Sequence, residues 1–133
     1  AHAGLANCLD AADVLTHLGK AYIDAGALDR GERLLVEAWA SHEASGATGR
    51  PQAAQILMRQ GNLERRRGDL KAAMAKYDQA YDIHRAAGTL ESSYMVTLLM
   101  HRSEAFSLMG DIGASTGSLA EAWRVCGLLQ VDG

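Results

Sequence analysis

The stretch RQGNLERRRGDLKAA (residues 59–73) places Gly68, Asp69 and Leu70 between two runs of helix-forming residues. Glycine adopts the left-handed conformation that ends a helix at little cost. Aspartate just after it is suited to cap the helix that follows. The stretch therefore reads as the turn of a helical hairpin. The same turn occurs twice more: Gly26 and Gly110 stand 42 residues to either side of Gly68, and Leu28 and Ile112 take the place of Leu70. Asp111 repeats Asp69 as a candidate cap. Further on, Ala38, Ala80 and Ala122 are each followed by an aromatic residue, Trp39, Tyr81 and Trp123. The interval also holds for Gly31, Ala73 and Ser115, for Leu35, Tyr77 and Leu119, for Leu15, Leu57 and Leu99, and for Gly19, Gly61 and Ser103. A period of this kind marks an array of supersecondary units, each burying its apolar face against its neighbour.

Within a unit, apolar residues recur at helical spacing, as Val14, Leu15, Leu18 and Tyr22 do in the first and Leu98, Leu99, Phe106 and Leu108 in the third. Small residues in both helices of a unit let the two axes approach to about 8–10 Å. With 24 alanines and one proline, helix is favoured throughout. The expected fold is all-α: six helices in three antiparallel hairpins spanning about 9–46, 51–88 and 93–129, in a single domain over residues 1–133. Gly113 and Gly117 would weaken the last helix by about 1 kcal/mol each relative to alanine, so the third hairpin is expected to be the loosest. The first four residues align with the ends of HEASG (42–46) and HRAAG (84–88), and read as the tail of a preceding unit. An uncapped array end exposes apolar surface, so self-association through the ends is expected.

Composition excludes several function classes. The chain is 48% apolar and 22% charged with a net charge of −3, which fits a globular domain and lacks the broad basic face of a nucleic-acid binder. No apolar run approaches the roughly 18 residues of a membrane span, and no signal-peptide pattern is visible. A cytoplasmic protein with Cys8 and Cys126 as reduced, packed thiols is expected. The glycine-rich stretches GATGR (46–50) and GDIGASTG (110–117) lack phosphate-loop order. HEASG is not a zinc motif, and same-phase histidines such as His17 and His101 fall in different units, as an apolar or surface column shared with Arg59. No nucleophile–base pair or paired carboxylates stand out. No catalytic, cofactor or metal site is expected, and the chain is not read as an enzyme.

The first unit, with Leu15, Leu18-Gly19, Tyr22, Gly26, Gly31, Leu35 and Ala38, resembles the tetratricopeptide repeat (TPR). The second departs from that pattern at Gln60 and Glu64, the third at Arg102 and Ser103. The 42-residue period exceeds the usual 34 or so. It resembles the repeats of kinesin light chains and, more closely, those of MalT-like, AfsR-like and other STAND-type bacterial regulators. The resemblance implies an α-solenoid with a right-handed superhelix and a concave groove. It also implies a protein- or peptide-binding scaffold, the sensing or regulatory arm of a larger bacterial regulator. An oligomerisation module and a small-molecule effector-binding domain are the alternatives.

Carried over by phase, the family's groove positions are Thr16 and Lys20 in the first unit, with Asp13, Ile23 and Asp24 beside them. In the second they are Gln55, Met58, Asn62, Arg65 and Arg66, and in the third Met100 and Glu104, with Thr97, Ser107 and Leu108. Asn62 stands where the family uses asparagine to bond a ligand's backbone, and the neighbouring guanidinium groups suit a carboxylate bidentately. The charge pattern adds to this: residues 51–88 carry net +3 between segments of net −3 on each side. An acidic or C-terminal peptide segment is the expected partner, with no nucleic acid and no membrane.

Overall fold

The computed structural model describes residues 9–132; the expected tail at residues 1–4 and Cys8 lie outside them. All the regular structure described is helical: α1 (Leu9–Asp24), α2 (Leu28–Ala44), α3 (Pro51–Arg66), α4 (Leu70–Ala87), α5 (Ser93–Leu108) and α6 (Ile112–Asp132). Among the described residues, no helix is long and apolar enough to cross a membrane.

The turns obey the glycine rule. Gly26, Gly68 and Gly110 have φ of 89°, 87° and 83°, and no other residue type takes positive φ among those described. One residue on, Ala27, Asp69 and Asp111 donate their backbone N–H groups to Tyr22, Glu64 and Phe106 at 2.8–2.9 Å. Those bonds satisfy carbonyls the helix end would orphan. Asp69 and Asp111 also cap: their Oδ1 atoms accept from the N–H groups of Ala72 and Ala114, each at 3.0 Å. Pro51 opens α3, where its missing N–H costs nothing.

Each hairpin is antiparallel and closes on small residues. In the first, Gly19 lies against Leu35, and a Cβ on Gly31 would stand only 3.0 Å from the carbonyl oxygen of Gly19. In the second, Gly61 lies beneath the ring of the fully buried Tyr77. The third uses serines at the same crossing: Ser103 and Ser115 share a hydrogen bond of 2.8 Å between hydroxyls. Two apolar clusters then join the hairpins. One links the first to the second through Ile23, Leu35, Ala38, Ile56 and Leu63; the other links the second to the third through Leu57, Met58, Tyr77, Met95 and Leu99. Trp39 packs against both.

Charge ties the middle hairpin to its acidic neighbours. Arg67, at the C-terminal end of α3, reaches back to Asp29 and Glu32 of α2 at 2.8 Å each. Arg65 reaches forward to Glu104 of α5, and Arg102 of α5 returns to Asp78 of α4, both at 2.8 Å. Solvent screening limits each such pair to about 1 kcal/mol or less.

The third hairpin runs beyond its expected end, because no positive-φ glycine or proline stops α6 before Asp132. Gly117 stays helical within it, with nothing inside 4 Å of a built Cβ. Gly117→Ala is therefore expected to stabilise the protein by about 1 kcal/mol, read as a higher denaturation midpoint in urea.

Candidate functional site

α3 packs between α1 and α5, touching both, so one face of the molecule is lined by the first helix of every hairpin. On that face lie two cavities. The first, of about 170 Å³, takes Asp13, Thr16 and His17 from α1, Gln52, Gln55 and Arg59 from α3, and Tyr94 from α5. The second, of about 180 Å³, takes Lys20, Ile23 and Asp24 from α1, Arg59, Asn62, Arg65 and Arg66 from α3, and His101 from α5. Arg59 borders both. Gln55, Arg59, Asn62 and Arg66 follow one another at steps of four, three and four residues, which keeps them on one helical stripe.

The second cavity is strongly cationic. Lys20, Arg59, Arg65 and Arg66 line it, and among the described residues Asp24 is the one lining carboxylate. Lys20 spends its charge on Asp24 at 2.7 Å. That bond, with the fields of Arg59 and Arg66, holds the Asp24 carboxyl below its ordinary range. Arg65 is braced by Glu104 at 2.8 Å and by the carbonyl of His101 at 3.4 Å. Arg66 and the half-buried Arg59 have no carboxylate within ion-pair distance among the described residues, and burial lowers the pKa of Arg59. His101 is pushed down to about 4, first by burial and then by Arg65 and Arg59; it is neutral at physiological pH. By contrast, an open hollow between α4 and α5 holds Asp78 and Asp82 against Arg85 and Arg102, and its charges cancel.

Of the nine groove residues expected, the structure gathers six at the cavities. Thr16 and Gln55 line the first; Lys20, Asn62, Arg65 and Arg66 line the second. Thr16 is buried there, its hydroxyl bonded to the Ala12 carbonyl at 2.8 Å. The other three stand elsewhere. Met58 is buried in the core between the second and third hairpins, packed with Met95, Leu98 and Leu99 of α5 rather than lining either cavity. Met100 is exposed outside both cavities. Glu104 lies outside the linings and acts on the site only through Arg65.

Asn62 also differs from its expected role. Its Oδ1 accepts the hydroxyl of Tyr77 at 2.5 Å, so the oxygen is committed to the hairpin interior and only the amide nitrogen is left for the cavity. Burial raises the Tyr77 hydroxyl to about 12, keeping it protonated as the donor.

Compared with family models, curated proteins and solved structures, the chain matches none. The site must be read from its own residues. Two of the most informative, Arg59 and His101, were visible only as part of a same-phase column with His17. An apolar or surface column is the expectation; all three border the cavities. For Arg59 the usable signal is its three-residue spacing from Asn62 on α3; His101, on α5, has no such local signal. Among the described residues, no three His, Cys, Asp or Glu side chains gather closely enough to hold a metal ion. Cys126 is a free, half-buried thiol. What the lining offers is positive charge and N–H donors, which is the chemistry of anion recognition.

Proposed function

We propose that the chain is a TPR-like scaffold whose groove, along α1, α3 and α5, binds an acidic segment of a protein partner. The carrying observation is the convergence of four cationic side chains on one cavity of a chain with net charge −3. Arg59 and Arg66, without ion pairs among the described residues, are the anchors, while Arg65 positions α5 against α3. The contact pattern supports the solenoid reading: first helices touch along the row, and second helices make no comparable contact with one another. A stack curved toward the first helices, with their face concave, would pack in this way. Placement of the chain as the sensing arm of a larger bacterial regulator follows from the sequence resemblance.

Cavity size favours a peptide over a small-molecule effector. Sites for drug-sized molecules typically occupy about 300–1,000 Å³, whereas each cavity here is about 170–180 Å³. That space suits single side chains or a chain terminus, set along an extended groove.

Fluorescence anisotropy with a labelled peptide rich in Asp and Glu tests the proposal. Saturable binding that weakens with added salt is expected, with a loss of at least about tenfold in the Arg59→Glu, Arg66→Glu double variant. Arg85→Glu, outside both cavities, leaves affinity unchanged. Undiminished binding by the double variant, at full helicity, would refute this assignment.

A further inference from the structure

The second cavity holds more positive charge than a single carboxylate would match. Two of its four cations already have partners: Lys20 bonds Asp24 at 2.7 Å, and Arg65 bonds Glu104 at 2.8 Å. Arg59 and Arg66 have no carboxylate within ion-pair distance among the described residues, and Asp24 acts on both through its field alone. Two positive charges are thus left over, on residues seven apart along α3. That spacing is about two helical turns, so both residues stand on one stripe. The neutral lining supplies further donors. Asn62 has its amide nitrogen left for the cavity, since its oxygen accepts the Tyr77 hydroxyl, and the imidazole of His101 borders the α5 side. The two other hollows described above lack such a surplus. In the first cavity Asp13 stands with Arg59, and in the open hollow Asp78 and Asp82 offset Arg85 and Arg102.

A space of about 180 Å³ suits one side chain, and two carboxylates forced into it would repel each other. A phosphate monoester gathers about 1.5–2 negative charges and three acceptor oxygens in one group, and it pairs well with the planar fork of arginine. We propose that the acidic segment held in the groove carries a phosphorylated side chain, whose phosphate sits in the second cavity between Arg59 and Arg66. This rests on the groove reading above and narrows it from an acidic segment to a phosphorylated one.

Fluorescence anisotropy on the full chain compares three labelled peptides of one acidic sequence, with phosphoserine, aspartate or serine at a single position. The phosphoserine peptide is expected to bind at least about tenfold tighter than the aspartate peptide. In Arg59→Gln, and in Arg66→Gln at its exposed site, that preference shrinks to about twofold at unchanged helicity. Arg85→Gln keeps the full preference. Free phosphoserine, as an unlabelled competitor, requires at least about a hundredfold higher concentration than the phosphopeptide, because it lacks the contacts of the segment. Equal potency of the two would give the cavity to a small phosphate ester and overturn the peptide source. Equal binding of the phosphoserine and aspartate peptides would overturn the phosphate assignment and leave the acidic-segment reading standing. No binding by any of the three peptides would overturn both. A preference lost equally in Arg85→Gln would also overturn the assignment, since the attraction would then belong to the whole surface.

Discussion

Gly61→Ser is expected to destabilise the protein by about 3 kcal/mol, near the upper end for overpacking a close-packed interior. A Cβ at this position would stand 2.6 Å from Cε1 and 2.8 Å from Cδ1 of Tyr77. The ring has nowhere to go, since Tyr77 is fully buried and its hydroxyl is held by Asn62. The other hairpins show which partner a larger residue requires. At the same two positions the third hairpin has Ser103 with Leu119, and the first has Gly19 with Leu35. Gly61→Ser combined with Tyr77→Leu is therefore expected to cost about 1–2 kcal/mol less than the two single changes summed. Tyr77→Leu alone remains costly, because it leaves the buried Asn62 oxygen without a donor, worth about 1–3 kcal/mol. Urea denaturation of the four proteins measures the coupling; additive costs would show that the Gly61–Tyr77 contact does not govern the packing.

The second large effect is acid destabilisation, carried by histidines buried in the neutral state. Burial lowers the pKa of His42, His84 and His101, the last to about 4. His84 is partnered by Thr89 at 2.9 Å. In the first hairpin Ala47 replaces that threonine, and neither ring nitrogen of His42 makes a well-formed hydrogen bond. In each case the unfolded chain takes up a proton at a higher pH than the folded one. Stability is thus full above the unfolded value of 6.5 and falls with pH below it, until the folded group also protonates near 4 for His101. The His101 contribution is on the order of 2–3 kcal/mol. Asp24, with its lowered pKa, acts in the same direction. Thermal melts from neutral pH down to about pH 4.5 should show a falling midpoint, with a shallower fall in His101→Gln. An equal slope in that variant would remove His101 from the account.

The turns were legible in the sequence because their cause is local. A positive φ demands glycine, and Asp69 and Asp111 cap within three residues of themselves. The all-helical fold followed from these turns and the periodicity between them. The lining of the two cavities was legible in part, since a helical stripe can be read from spacing but its borders cannot. Met58 lies one step off the stripe and falls into the core; Arg59 lies on it and was read as part of an apolar or surface column. Least legible were the contacts set by how hairpins stack. Arg65–Glu104 and Arg67–Asp29 join residues far apart in sequence, and nothing in either local pattern names the partner. Asn62 shows the same limit: its oxygen turned inward because a tyrosine stands opposite, where the first hairpin has Leu35 and the third Leu119.

That an anion occupies the cavity between α1, α3 and α5 is tested most directly by the imidazole of His101. Arg65 and Arg59 help hold its midpoint near 4. A bound carboxylate would offset those charges. Titrating the His101 ring resonances by NMR, with and without a saturating acidic peptide, is predicted to move the midpoint upward in the complex. A midpoint that stays near 4 while the peptide is bound would contradict the account, because the peptide's charge would then lie elsewhere.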